Sequence, residues 1–215
     1  MRVLVVAKAP VAGQAKTRLG AHVGHAAAAR IAAASLVDTL RAAAAAAGAA
    51  NCHLSLAGDL DDAVEADLIR ELLRGWTVTA QRGEDFAERL VNAHLDAGPG
   101  DVVQIGMDTP QATPALLDVA ARLLADHDAA LGAAEDGGWW VLARRDPAPV
   151  RALSGVPMST PTTYADTRAA LEAAGATVAD TPGLRDVDTV ADAHAVAEAA
   201  PETEFARVWS AVGCP

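Results

Sequence analysis

Short apolar segments of strand character alternate along this chain with longer segments of helical character. The strand-like segments are Val3–Ala7, Cys52–Ala57, Trp76–Gln81, Asp101–Ile105, Ala129–Gly132, Trp139–Ala143 and Ala176–Ala179. Between and after them the patterns predict helices over Ala26–Ala47, Asp61–Arg74, Asp85–Ala97, Thr113 to about Ala125, Thr163–Ala174, Val190–Ala199 and Glu202–Ala211. Gly48 reads as the stop of the first long helix, and Thr113-Pro114 as an N-cap followed by proline at the first helical position. Such alternation demands crossover connections, so the expected fold is α/β: a mostly parallel sheet with helices on both faces. No repeat or linker interrupts it, and 215 residues suffice for one sizeable core, so residues 1–215 are expected to form a single domain. The run Ala42–Ala47 is low in complexity yet still helical, because alanine is the best helix former.

In sheets of this type ligands bind beyond the C-terminal ends of the strands, so polar residues that follow strands are the place to look. The first strand opens into Lys8-Ala-Pro-Val-Ala-Gly-Gln-Ala-Lys16-Thr17-Arg18-Leu19. Backbone N–H groups of such a loop, a helix N-terminus and two cations can converge on one phosphate. The pattern is not the G-x-x-x-x-G-K-[ST] loop of P-loop NTPases, because Pro10 and Ala15 stand where glycines are required. Solvated charges ahead of a helix are the competing reading of Lys16 and Arg18.

Local positive charge stands out in a chain with 28 Asp and Glu against 17 Lys and Arg, a net charge of −11. That balance argues against nucleic acid or an anionic membrane as a bulk partner. No apolar run approaches the ~20 residues needed to span a bilayer, and the N-terminus enters a strand at once without a signal-peptide pattern. Cys52 and Cys214 are too few and too far apart to suggest a disulfide framework. A cytoplasmic protein is expected. The six histidines (His22, His25, His53, His94, His127 and His194) show no metal-ligand spacing and are read as surface or helix residues.

Carboxylates follow the later strands. Asp108, in Gly106-Met107-Asp108-Thr109-Pro110, stands at the tip of a buried strand, where desolvation is costly without a cation or several donors. A Mg²⁺ ion bound to phosphate oxygens is one solution, and a turn cap is the other. In Glu135-Asp136-Gly137-Gly138-Trp139-Trp140 the glycines would let a ligand approach the backbone, or would simply form a hairpin turn. Trp139 and Trp140 must face opposite sides of a strand, one toward the core and one toward the crevice. Arg185-Asp186-Val187-Asp188-Thr189 superficially matches an aspartyl-phosphate signature. Pro182-Gly183 before it argues against the buried strand that signature needs, leaving Thr189 as an N-cap and Asp186 or Asp188 as a second metal carboxylate.

Taken in order, Lys8–Leu19, Gln81–Leu90, Gly106–Pro110, Glu135–Trp139, Ser159–Pro161 and Asp186–Thr189 resemble the GT-A-like family called radical SAM/selenodomain-associated transferase 1. The first block is also similar to the A-K-T-R-L loop of 2-phospho-L-lactate guanylyltransferase and, more remotely, to molybdenum-cofactor guanylyltransferases. The resemblance implies a nucleotide-diphospho-sugar transferase fold with Lys16 and Arg18 at the phosphates, and Mg²⁺ or Mn²⁺ held by Asp108 and Asp188. It further implies a nucleotide site of Ala7, Lys8, Gly13, Lys16, Arg18, Gln81, Arg89 and Gly106, with the catalytic burden on Lys16, Arg18 and Asp108. The acceptor side would comprise Asp136, Gly137, Gly138, Trp139 and Ser159. Phe86-Ala87, Met107 and Trp139 depart from the family's usual residues, the last two beside the implied crevice.

Two chemistries suit such a site. In nucleotidyl transfer a small phosphorylated or acidic acceptor attacks the α-phosphorus of an NTP and pyrophosphate leaves; in glycosyl transfer a nucleotide sugar releases a nucleoside diphosphate. The basic first loop, and the absence of an Asp partner two residues either side of Asp108, favour the first. A non-catalytic nucleotide-binding protein is the more remote alternative. A homodimer is compatible with all three readings.

Overall fold

A computed structural model describes residues 1–212. Seven strands form one sheet: β1 (Arg2–Lys8), β2 (Cys52–Ala57), β3 (Thr77–Ala80), β4 (Val102–Ile105), β5 (Ala129–Ala134), β6 (Trp139–Arg144) and β7 (Val178–Leu184). Their order is β3-β2-β1-β4-β6-β5-β7. β6 alone runs antiparallel, to both β4 and β5; every other pairing is parallel. The helices are α1 (Thr17–Val23), α2 (His25–Ala47), α3 (Ala66–Leu72), α4 (Phe86–Asp96), α5 (Pro114–Leu123), α6 (Thr163–Ala173), α7 (Val190–Ala199) and α8 (Glu204–Val212). The expected α/β class and mostly parallel sheet are what the chain forms.

From β1 the chain winds outward through β2 and β3, then returns to place β4 on the other side of β1. The connections after β1 and β4 therefore leave in opposite directions, and a crevice opens between them above the strand ends. β1 is apolar on both faces because both are covered: Val3, Val5 and Ala7 belong to the larger core, Leu4 and Val6 to a second one beneath α4.

The alanine content serves one element above all. α2 buries fourteen of its residues, eight of them alanine, and touches α1, α5, α8 and β1. Small side chains let that many neighbours approach a single helix. Gly48 ends it at φ +76°, returning its N–H to Ala44 O. Thr113 and Thr189 cap α5 and α7 as the sequence indicates, Thr189 within a full capping box with Asp192.

Helix α1 is not indicated by the sequence pattern, small shifts occur at other element ends, and three boundaries are moved by tertiary contacts. Residues 61–65 are turns, because Val64 N–H bonds to Pro10 O and Glu65 adopts a left-handed conformation, so the helix begins only at Ala66. α8 starts at Glu204, where Asp38 of α2 accepts from the N–H groups of Glu204 and Phe205 at 3.0 and 2.8 Å. β7 continues through Pro182-Gly183 to Leu184, since an edge strand paired only with β5 tolerates proline. Among the described residues no helix is long and apolar enough to cross a membrane. Cys52 is a buried free thiol, and Cys214 lies outside the described residues.

Candidate functional site

Two cavities meet above the ends of β1 and β4. The larger, about 440 Å³, is lined by Ala7, Lys8, Lys16, Arg18, Gln81 and Arg89 among others. The smaller, about 220 Å³, is lined by Leu90, Gln104, Gly106, Gly138, Trp139, Trp140, Met158 and Asp186 among others. Val6, Phe86, Asp108, Asp136, Ser159 and Asp188 line both and mark the seam. Among the described residues, all four basic residues at the crevice belong to the larger cavity, and no Lys or Arg lines the smaller.

Lys16 precedes α1 in the left-handed region, at φ +50°. A non-glycine residue held there marks local strain of the kind that collects at functional sites. Its ammonium lies 2.5 Å from Asp108 and 3.6 Å from Asp188, donates to Val187 O, and its side chain is only 6% exposed. Arg18, 75% exposed, pairs with Asp188 at 3.0 Å. The loop cations thus face the crevice with carboxylates as their present partners.

Asp108 is held by its own loop. Ser35 of α2 donates to Met107 O, the Lys8 N–H meets the Met107 sulfur at 3.4 Å, and Val187 N–H donates to Asp108 O at 2.9 Å. Asp136, Asp186 and Asp188 gather instead in a triad whose ligand oxygens all lie within 4.8 Å of one another. Asp108, expected as a metal ligand, pairs with Lys16 and stands outside the triad, while Asp136, expected on the acceptor side, stands within it. The triad exists because β7 runs to Leu184 and delivers residues 186–188 to the seam. Burial pushes the Asp186 carboxyl up to about 6, with the charges of Asp136 and Asp188 adding to the rise. Three carboxylates this close suit a hard divalent cation such as Mg²⁺ or Mn²⁺, which takes oxygen ligands.

Other expected residues are placed differently. Gly137, at φ +92°, is no ligand-approach position: a Cβ there would lie 2.2 Å from Pro161 O, and Tyr164 N–H donates to Gly137 O. The glycine lets the turn after β5 seat on the segment before α6. Gly138 does line the smaller cavity, its N–H bound to Asp136 at 2.7 Å. Gly13 is exposed at φ +77° on the first loop and lines neither cavity. Trp139 and Trp140 both reach the smaller cavity, tied by their indole N–H groups to Thr167 and to Pro182 O. Ser159, left-handed at φ +59°, sits at the seam. Gln81 spans β1 and β2 by donating to Ala7 O and Ser55 O, both at 3.0 Å. Arg89 donates to Gly83 O at 3.3 Å.

Sequence reasoning missed Asp186 as a partner of Asp136, and it missed Gln104. A glutamine inside the run Val102-Val-Gln-Ile105 was the available signal, since a buried polar side chain needs a partner. That partner is His94 of α4, at 3.1 Å, itself beside Arg144 of β6.

The comparisons agree with this fold. A family model described as "Uncharacterized protein conserved in bacteria (DUF2064)" matches residues 39–160, more than half of the chain. Among curated proteins no sequence matches. A solved structure from Desulfovibrio desulfuricans G20, described as a "putative nucleotide-diphospho-sugar transferase", is similar over 98% of this chain and 94% of its own, with 28% identity and a TM-score of 0.79. CMP:2-keto-3-deoxy-manno-octonic acid synthetase, in complex with CTP, is 14% identical over 94% of this chain and all of its own, with a TM-score of 0.58. Rv0371c of Mycobacterium tuberculosis H37Rv, in complex with manganese, is 20% identical over 92% of this chain and 99% of its own, with a TM-score of 0.51. The last two likenesses concern the fold.

Proposed function

This chain belongs to the DUF2064 family and has the fold of nucleotide-using transferases, and from that premise we propose that it is a metal-dependent nucleotidyltransferase formed by residues 1–215 as one domain. The observation that carries the reading is the division of the crevice. Lys8, Lys16, Arg18 and Arg89 line one cavity, carboxylates occupy the seam, and no cation lines the other cavity. A triphosphate suits the basic cavity, with the α-phosphorus toward the seam and the acceptor beyond it.

In this reading Lys16 and Arg18 are the phosphate-binding cations and Ala7, Lys8, Gln81 and Arg89 line the nucleotide. Gly138, Trp139 and Ser159 border the acceptor. Asp136, Asp186 and Asp188 would hold Mg²⁺ or Mn²⁺, which supplies neutralisation of phosphate charge. Asp108 holds Lys16 in place. An acceptor oxygen attacks the α-phosphorus in line, its P–O bond forming as the bond to the pyrophosphate oxygen breaks. Positioning and charge stabilisation carry such a step without a covalent enzyme intermediate.

Glycosyl transfer is the second reading, favoured by the name of the Desulfovibrio relative. The leaving group separates the two. Incubation with each ribonucleoside triphosphate or nucleotide sugar, a pool of small acceptors and Mg²⁺ or Mn²⁺ should release pyrophosphate from a triphosphate. Release of a nucleoside diphosphate from a nucleotide sugar, without pyrophosphate, would overturn the choice.

A further inference from the structure

Beneath the smaller cavity lies a hydrogen-bond chain in which each link dictates the next. Arg144 is 1% exposed, His94 fully buried and Gln104 2% exposed. The guanidinium of Arg144 can only donate. Its two terminal nitrogens are taken up by carbonyls: Nη1 by Gly100 at 2.8 Å, Nη2 by His94 at 2.7 Å and Gly98 at 2.8 Å. Its Nε–H points at His94 Nδ1 at 3.3 Å. Nδ1 must therefore accept, and the ring proton of a neutral imidazole must sit on Nε2. Nε2–H then donates to Gln104 at 3.1 Å, so the atom facing it must be the amide oxygen. Burial and the Arg144 charge keep the ring neutral, pushing its pKa down to about 3.

The Gln104 amide nitrogen is left over. It has no hydrogen-bond partner among the described residues, yet it is not sealed away: Gln104 lines the smaller cavity. A guanidinium two residues removed thus dictates that the cavity floor presents N–H donors. The walls above combine Trp139, Phe86 and Met158 with the carboxylates Asp136 and Asp186, and no Lys or Arg among the described residues lines this cavity.

We propose that Gln104 is the acceptor-recognising residue of the smaller cavity, donating its amide N–H groups to an oxygen of a neutral, polyhydroxylated acceptor. An anionic acceptor would find no lysine or arginine side chain in this cavity to receive it. A cation would have no use for a donor at the floor. A hydroxylated ring satisfies both ends, giving lone pairs to Gln104, hydroxyl protons to the carboxylates, and C–H surface to the indole of Trp139. The proposal rests on the reading that this cavity holds the acceptor, and it replaces the acidic acceptor expected from sequence.

The test uses matched probes: glucose against glucose 1-phosphate, and glycerol against glycerol 3-phosphate. Binding is read by tryptophan fluorescence, to which Trp139 and Trp140 report directly. A neutral member should bind in the millimolar range or tighter, and more tightly than its phosphorylated counterpart. Gln104→Met and Gln104→Glu, which remove the donor, should each weaken it about tenfold, the scale of one well-formed hydrogen bond. Gln104→Glu retains an acceptor for His94 and so guards against a folding defect. In both variants the affinity for tripolyphosphate, a probe of the basic cavity, should stay within error of the parent. Tighter binding of the phosphorylated members, no millimolar binding of any neutral one, or unchanged affinity in Gln104→Glu overturns the assignment. Displacement of the neutral probe by a nucleoside triphosphate, with the Gln104 effect intact, would overturn the acceptor reading of the cavity instead.

Discussion

Acidification should unfold this protein in part through one residue, His94. Its ring is buried beneath the sheet and faces the Arg144 guanidinium, and the two effects together lower its pKa from 6.5 to about 3. A histidine depressed in this way stays neutral when folded and protonates when unfolded. Its contribution is therefore fully present above about pH 6.5 and declines as the pH falls toward 3, where the folded state also takes up the proton. Within that window the slope approaches about 1.4 kcal/mol per pH unit, giving roughly 2 kcal/mol lost by about pH 5. That is a large share of the ~5–15 kcal/mol typical of a domain. Carboxylates held low by hydrogen bonds, such as Asp128 and Asp192, lose stability in acid too, while Asp186, raised, does the reverse. His94→Asn keeps an acceptor near Arg144 and removes the titration, so the difference between the two proteins isolates the histidine. Urea unfolding across the acid range should show curves that converge as the pH falls, because only the parent carries the histidine's slope. Parallel curves would refute a neutral buried ring.

Arg18→Ala should weaken tripolyphosphate or nucleotide binding by about 1.5–3 kcal/mol with the fold unchanged; calorimetry showing equal affinity would remove Arg18 from the phosphate site. Gly137→Ala puts a Cβ into the Pro161 carbonyl at a left-handed φ and should cost more than the ~1–2 kcal/mol of the conformation alone, read as a lower thermal midpoint. Thr189→Ala breaks both arms of the α7 capping box and should cost about 1 kcal/mol in denaturant unfolding; a change within error would mean the cap is dispensable.

The strand–helix alternation was legible because most boundaries are set locally. Thr113-Pro114, Asp85 and Thr189 cap helices with their own side chains, and β2 and α7 begin and end where the pattern alone places them. The three boundaries moved by tertiary contacts all involve partners distant in sequence. The turn at residues 61–65 is fixed by Pro10, and the start of α8 by Asp38. β7 outlasts Pro182 because it lies at the sheet edge, a position the sequence does not announce. The same holds for the site. The cations and carboxylates could each be picked out by their place after strands. Which of them meet was not legible, because Lys16, Asp108, Asp136 and Asp188 come from four connections far apart in the chain. The amide orientation of Gln104 depends on Arg144, forty residues later in sequence.

The embrace of Lys16 by Asp108 and Asp188 changes what a defective variant would mean. The lysine is nearly enclosed, so its charge is balanced from inside the protein before any ligand arrives. Neutralising one of its partners does more than delete a carboxylate, because it leaves an ammonium with unmet demand for an anion at the mouth of the basic cavity. Asp108→Asn would then grip phosphates more tightly while handling them in the wrong place, so affinity and turnover would move in opposite directions. A screen that scored binding alone would class such a variant as improved, and one that scored product alone would class it as ligand-deficient. Only the two measured together reveal a lysine that has lost its counter-ion.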